Sequence, residues 1–219
     1  MSRTIVIGDI HGCFDELVSL LDSLAFAVTD RVVSVGDLIV KGNKSKEVLD
    51  LFAQDARFHS VLGNHDRALL RFWEGAITTL KRSQIHTCNE LEADKEQYRT
   101  YLGSLPLKID LGSHLVVHAG VRPGVPLDSQ SVEDLTELRT LGEDRTSREG
   151  VPWYDVYDSE KLILFGHWPS REPRLAKRAI GLDTGCVYGN RLTAYVLETG
   201  EFTSVQAKRA YDPPKTALA

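Results

Sequence analysis

Residues 3–12 read RTIVIGDIHG. From Thr4 to Ile7 the run carries no charged residue, and it closes on Gly8 and Asp9. A short apolar run stopped by glycine fits a strand covered on both faces, the kind found in parallel α/β sheets. The same pattern returns as RVVSVGD at 31–37 and as FHSVLGNHD at 58–66. Between these runs the spacing changes from strand to helix. CFDELVSLLDSLAF (13–26) sets Leu17, Leu20, Leu21 and Leu24 at helical intervals, and KSKEVLDLFAQ (44–54) and RALLRFW (67–73) also read as helices. Strands alternating with helices predict an α/β fold with parallel strands.

Downstream the rhythm breaks. Residues 75–105 are polar, with helical stretches around CNELEADKEQYRTYL, and are expected to form an insertion or cap over the sheet edge. LPLKIDLGSHLVVHAGV (105–121) reads as two antiparallel strands around Leu111-Gly112-Ser113. SVEDLTELRTL (131–141) opens like a helix capped by Ser131, and GEDRTSREG (142–150) reads as a charged loop. KLILFGH, RAIGLDTG, RLTAYVLE and EFTSVQA are further strands, the last two joined at Thr199-Gly200. We expect one domain over 1–207, with the helical insertion at about 75–105, and a little-structured tail at 208–219.

Composition narrows the function. The chain has 219 residues and a formal net charge of -5, which argues against broad, non-specific nucleic-acid binding. Its three cysteines, Cys13, Cys88 and Cys186, lack a CxxC spacing and fit a reducing compartment. MSRTIVIGDIHG has no long apolar segment and no cleavage pattern, so a cytoplasmic protein with no membrane span and no stable nucleic-acid partner is expected.

The strand ends carry the chemistry. Asp9 and His11 follow the first strand, Asp37 the second, and Asn64, His65 and Asp66 the third. His118 closes the strand in VVHAG and His167 the strand in LFGH. Ligands of open α/β sheets collect outside the carboxyl ends of strands. Imidazole, carboxylate and amide groups without thiolate form a nitrogen–oxygen set suited to manganese, iron, zinc and similar divalent ions. A carboxylate bridging two such ions about 3.5–4 Å apart is an arrangement used to cleave phosphate esters. His59, His86 and His114 lack the strand–glycine context and are expected to be ordinary surface or half-buried residues.

GDIHG, GDLIVKG, GNHD, HAG and FGH, in this order, resemble the motifs of the calcineurin-like metallophosphoesterases, within the phosphoprotein phosphatase superfamily. The likeness runs from Thr4 to about Val205. VLGNHD, HAGVRP, FGHW and IGLDTGCVYGNRLTAYVLE are most similar to the symmetrical diadenosine tetraphosphate hydrolases and ApaH-like phosphatases. The resemblance implies a four-layer α/β/β/α sandwich with two mixed sheets. It implies that Asp9 and His11 hold one metal, that Asp37 bridges, and that Asn64, His118 and His167 hold the second. It further implies His65 as proton donor, attack by a metal-activated hydroxide, and two divalent ions, manganese first, with iron, zinc, cobalt or nickel also admissible.

Two positions depart from the GDxxDRG form usual in the protein phosphatases. Val40 stands where an aspartate orients the acid histidine, so another carboxylate, such as Asp66, is expected behind His65, or else His65 is the weaker acid. Lys41 replaces the arginine, giving a point charge in place of a bidentate fork. Arg139, in DLTELRTL at the place where many members of the resembled family have a Leu-x-x-Arg run, is the second expected phosphate ligand. Arg122 and the group Arg171, Arg174, Lys177 and Arg178 are weaker candidates for a long polyphosphate. Trp168, Tyr188 and Cys13 are expected to be packed. The expected reaction is cleavage of a phosphoanhydride in a dinucleoside polyphosphate or related nucleotide. The alternatives are a phosphoprotein phosphatase, a polyphosphatase or a silent phosphate-binding module.

Overall fold

In the computed structural model, which describes residues 2–213, the first half of the chain builds three parallel strands with helices between them. These are β1 (Thr4–Ile7), α1 (Phe14–Ser23), β2 (Arg31–Ser34), α2 (Ser45–Gln54), β3 (Phe58–Ser60) and α3 (Asn64–Trp73). Two more helices follow, α4 (Arg82–Glu90) and α5 (Lys95–Ser104). The second half contains β4 (Lys108–Asp110), β5 (His114–Val117), α6 (Val132–Glu137), α7 (Trp153–Val156), β6 (Leu162–Phe165), β7 (Arg174–Ala176) and β8 (Ala179–Gly181). It ends with β9 (Arg191–Val196) and β10 (Glu201–Gln206).

Two mixed five-stranded sheets result, ordered β10-β9-β1-β2-β3 and β4-β5-β6-β8-β7. β1, β2 and β3 are parallel, with Val6 beside Val33, and β9 joins β1 antiparallel. β5, β6 and β8 are parallel, flanked by antiparallel β4 and β7.

Alternation along each strand explains the uninterrupted apolar runs. Ile5 and Ile7 face one core with α1 to α5, while Val6 faces the other sheet beside Val33, Val116 and Leu164. In the second sheet Leu115, Val117, Ile163 and Phe165 face α6 and α7, packing on Leu135, Trp153 and Tyr157. Both faces of the central strands are therefore dry, and four layers follow: helices, sheet, sheet, helices.

The 75–105 segment joins the helical layer. Thr87, Cys88, Leu91, Tyr98 and Leu102 are buried, and the Tyr98 hydroxyl donates to Asp50 at 2.6 Å. The chain beyond β10 is tied down as well. The Lys208 amide and the Tyr211 hydroxyl both donate to the buried Glu16 carboxylate at 2.9 Å, and residues 214–219 of the expected tail lie outside the described residues. No described helix is long and apolar enough to cross a membrane.

Candidate active site

Parallel pairing sends the carboxyl ends of β1, β2 and β3 to one edge of the first sheet, and β5, β6 and β8 do the same in the second. The loops leaving these ends interlock. A Cβ at Gly63 would overlap the Asp37 backbone and carboxylate, and one at Gly166 would overlap the Asp9 carboxylate. Only glycine lets the histidine- and asparagine-bearing turns approach so closely.

Asp37 lies at the centre. His11 Nε2 and His118 Nε2 each come within 3.5 Å of its carboxylate, from opposite sheets, and the His65 amide donates to it at 2.9 Å. Asp9 accepts the His167 amide on both oxygens at 3.1 Å and stands 4.0 Å from His11 Nε2. The Asn64 amide oxygen is shared by His118 Nε2 and His167 Nδ1, each at 2.9 Å. Asp9, His11, Asp37, Asn64, His65, His118 and His167 thus form one cluster, while His59, His86 and His114 have no hydrogen bond to it.

Two of the imidazoles are oriented from behind. His11 Nδ1 contacts the Ile39 carbonyl at 3.1 Å and His118 Nδ1 the Val35 carbonyl at 2.9 Å, so both turn Nε2 inward, as metal-binding histidines do. Two triads, His11–Asp37–His65 and Asp9–Asp37–His118, each place their potential ligand atoms within 4.8 Å of one another and share Asp37. Buried His167 Nε2 and His65 Nδ1 have no partner. The Lys41 ammonium lies 3.0 Å from His11 Nε2, a cation at an imidazole lone pair. Orphaned imidazole nitrogens, shared carboxylates and an ammonium among them fit a pair of divalent ions.

The electrostatics agree with that fit. Burial, reinforced by Asp183 and Asp37, pushes the Asp9 carboxyl well above its usual range, and burial raises Asp37 to about 6 against the pull of Lys41. Burial, then Lys41, holds His11 and His65 well below the usual imidazole value, and burial takes His118 down to about 4. The site is a buried hollow in which desolvation disfavours charged carboxylates and charged imidazoles alike, and Lys41 further keeps His11 and His65 neutral.

Asp66, expected behind His65, makes no hydrogen bond to its imidazole. Its oxygens accept the amides of Leu38 (3.2 Å), Ile39 (3.3 Å) and Gly63 (3.2 Å), which caps α3 and fixes the Asp37 loop. With those lone pairs spent on backbone, none reaches the imidazole. Val40 is fully buried in the helical core.

Lys41 and Arg139 both reach the cluster. Lys41 rests 5.2 Å from the centre of the Tyr188 ring. Burial works against its charge, yet Tyr188, Asp37 and Asp183 together raise its pKa. Arg139 follows the end of α6, and its guanidinium donates to the Thr146 carbonyl at 2.9 Å and the His167 carbonyl at 3.4 Å. Three of the other basic candidates are engaged elsewhere. Arg122 forms a double hydrogen bond with Asp134, Lys177 pairs with Asp158, and Arg174 lies over the Trp168 ring at 4.9 Å.

Asp183, buried just past β8, was not singled out from the sequence. Burial raises its carboxyl, and its charge is felt at Asp9, Lys41 and Arg139. Its signal is the strand-then-acid run AIGLD, in which Leu182 separates the glycine from the acid.

The calcineurin-like phosphoesterase family matches residues 2–202. Among curated relatives, the chain is 31% identical to an asymmetrical bis(5'-nucleosyl)-tetraphosphatase PrpE of Bacillus velezensis, over 94% of each chain. It is 30% identical to a symmetrical bis(5'-nucleosyl)-tetraphosphatase of Neisseria meningitidis, over 94% of this chain and 96% of that one. A solved structure described as a candidate diadenosine tetraphosphatase superposes with a TM-score of 0.78 at 34% identity, covering 94% and 93% of the two chains.

Proposed function

The chain belongs to the calcineurin-like phosphoesterase family and is a metal-dependent phosphohydrolase by that membership, and we propose that it cleaves a phosphoanhydride bond of a dinucleoside polyphosphate or related nucleotide. Asp9, His11 and Asp37 would hold one divalent ion, and Asp37, Asn64, His118 and His167 the other, with manganese as the first choice. When bound, such a pair acidifies water and neutralises phosphoryl charge. Lys41 and Arg139 bind the phosphoryl oxygens from two sides. His65, held over Asp37 by its own amide, donates the proton to the leaving oxygen.

The observation that carries the anhydride reading is that, among the described residues, no carboxylate hydrogen-bonds to the His65 imidazole. Its Nδ1 is buried without a partner, Asp66 is committed to three backbone amides, and residue 40 is valine. An imidazole without a carboxylate behind it is a poorly sustained acid. A phosphate leaving group needs little help from an acid, whereas the alkoxide released from phosphoserine needs much. The tetraphosphatase names of the relatives support the same substrate class.

The test is a side-by-side rate measurement. Diadenosine tetraphosphate, a phosphothreonine peptide and inorganic polyphosphate are each assayed with Mn²⁺, Co²⁺ and Mg²⁺. The expected result is a kcat/KM for the dinucleotide at least tenfold above that for the peptide, about 1.4 kcal/mol of discrimination. A faster peptide reaction would move the chain to the phosphoprotein phosphatases.

A further inference from the structure

We propose that Cys13, Glu16 and Cys186 form a separate metal site, suited to a soft or borderline divalent ion such as zinc, that staples the start of α1 to the turn after β8. The site is independent of the phosphoanhydride reading above.

The three residues come from distant parts of the chain. Cys13 precedes α1, Glu16 lies in the first turn of that helix, and Cys186 follows the left-handed Gly185 in the short turn after β8. Both sulfurs and a Glu16 carboxylate oxygen lie within 4.8 Å of one another, and each residue is at most 1% exposed. The cysteines are free thiols. Cys13 does not cap α1, and its sulfur makes a long contact, 3.9 Å, to the His11 carbonyl. The chain past β10 returns to the same place, where the Tyr211 and Asp212 amides donate to the Val187 carbonyl at 2.9 and 3.1 Å.

Glu16 is the group that calls for a cation. Its Oε1 accepts the Lys208 amide and the Tyr211 hydroxyl, each at 2.9 Å, while Oε2 is buried with no partner. The ammoniums of this neighbourhood are turned elsewhere. Lys44 and Lys208 pair with Asp15, at 2.6 and 3.2 Å, and among the described residues no lysine, arginine or histidine forms an ion pair with Glu16. A buried carboxylate without a counter-charge is costly. A divalent ion supplies that charge, and the two thiols become its soft ligands once each gives its proton to solvent. Zinc holds thiolate sulfur at about 2.3 Å and carboxylate oxygen at about 2.0–2.2 Å, so donors this close together reach one ion by small side-chain movements. Three protein ligands leave one tetrahedral position for a non-protein donor. Two thiolates also discriminate against manganese, which the nitrogen–oxygen set around Asp37 admits, so the two sites draw different metals.

The test adds Co²⁺ to the manganese-loaded full chain, its thiols kept reduced, and reads absorption in the near ultraviolet. Cobalt bonded to thiolate gives an intense charge-transfer band there. Cobalt bonded to nitrogen and oxygen alone does not, so exchange at the Asp37 centre is silent. The wild type should show the band, and Zn²⁺, which binds such ligands more tightly than Co²⁺, should bleach it. D37N and C88S should keep the band. C13S and C186S should each lose most of it, and E16Q should raise the cobalt midpoint at least about tenfold. A wild type without the band overturns the site whatever the variants do. So does a band that survives both C13S and C186S, a band that vanishes in D37N, or an E16Q midpoint equal to that of the wild type. None of these readouts depends on hydrolysis.

Discussion

Val40 and Lys41 adopt consecutive left-handed conformations, with φ of 75° and 73°, and His11, Asp37 and His167 are also left-handed at 49°, 51° and 67°. A β-branched residue in this region is an outlier, because its Cβ crowds the backbone. Such strain persists only where the surroundings over-determine it, and it gathers at functional sites. Here the Gly42 amide bonds back to the His11 carbonyl at 2.9 Å and the Lys44 amide to Gly12 at 3.1 Å, locking the turn onto the first motif. Aspartate tolerates this backbone better than valine. V40D also puts a carboxylate among apolar side chains, so it should fold with lower stability than wild type, and where that carboxylate pairs with the His65 imidazole the ratio of phosphopeptide to anhydride kcat/KM should rise by roughly tenfold. Parallel rate measurements on wild type and variant check this, and an unmoved ratio would remove residue 40 from the account of substrate choice. At this scale the seven clustered residues were legible because each lies in a strand-end turn rich in glycine. Asp183 was not, because the glycine of its strand sits two places back.

The central strands and α1 to α3 were legible from their apolar spacing. β7 was not. It spans three residues at a sheet edge, contains Arg174 and an exposed Leu175, and owes its strand form to pairing with β8. α7 is a four-residue helix, too short for any period, and the burial of Trp153 fixes it. The entry into β1 depends on one ion pair. Buried Asp30 accepts the Arg3 amide at 3.0 Å, its guanidinium at 3.1 and 2.5 Å, and the Ala27 amide at 2.9 Å, so it joins the start of β1 to the turn before β2. The Arg3 guanidinium holds the Asp30 carboxyl down at about 2. A depressed carboxyl pKa adds stability above its unfolded value near 4 and loses it as pH falls through about 2. D30N should cost about 2 kcal/mol at pH 7, with the difference from wild type closing between about pH 4 and pH 2. Denaturant melts across that range check it, and a gap constant with pH would mean the pair contributes through packing instead.

Across the whole molecule, neither sheet holds the site alone. The first brings Asp9, His11, Asp37, Asn64 and His65, the second His118, His167 and Asp183, and the dry layer of valines and leucines between the sheets sets their separation. That long-range meeting is invisible to local pattern. What the sequence did carry was five strand-end motifs whose residues share one chemistry, and the fold gives that coincidence its reason. The central claim is that these side chains form one two-metal centre bridged by Asp37. Metal analysis of wild type and D37N after dialysis against Mn²⁺ tests it most directly. Two equivalents per wild-type chain are predicted, with at least one lost in D37N together with a fall in hydrolysis of about 10³ or more. A wild type holding a single ion, or a D37N protein that keeps both ions and full activity, would contradict it.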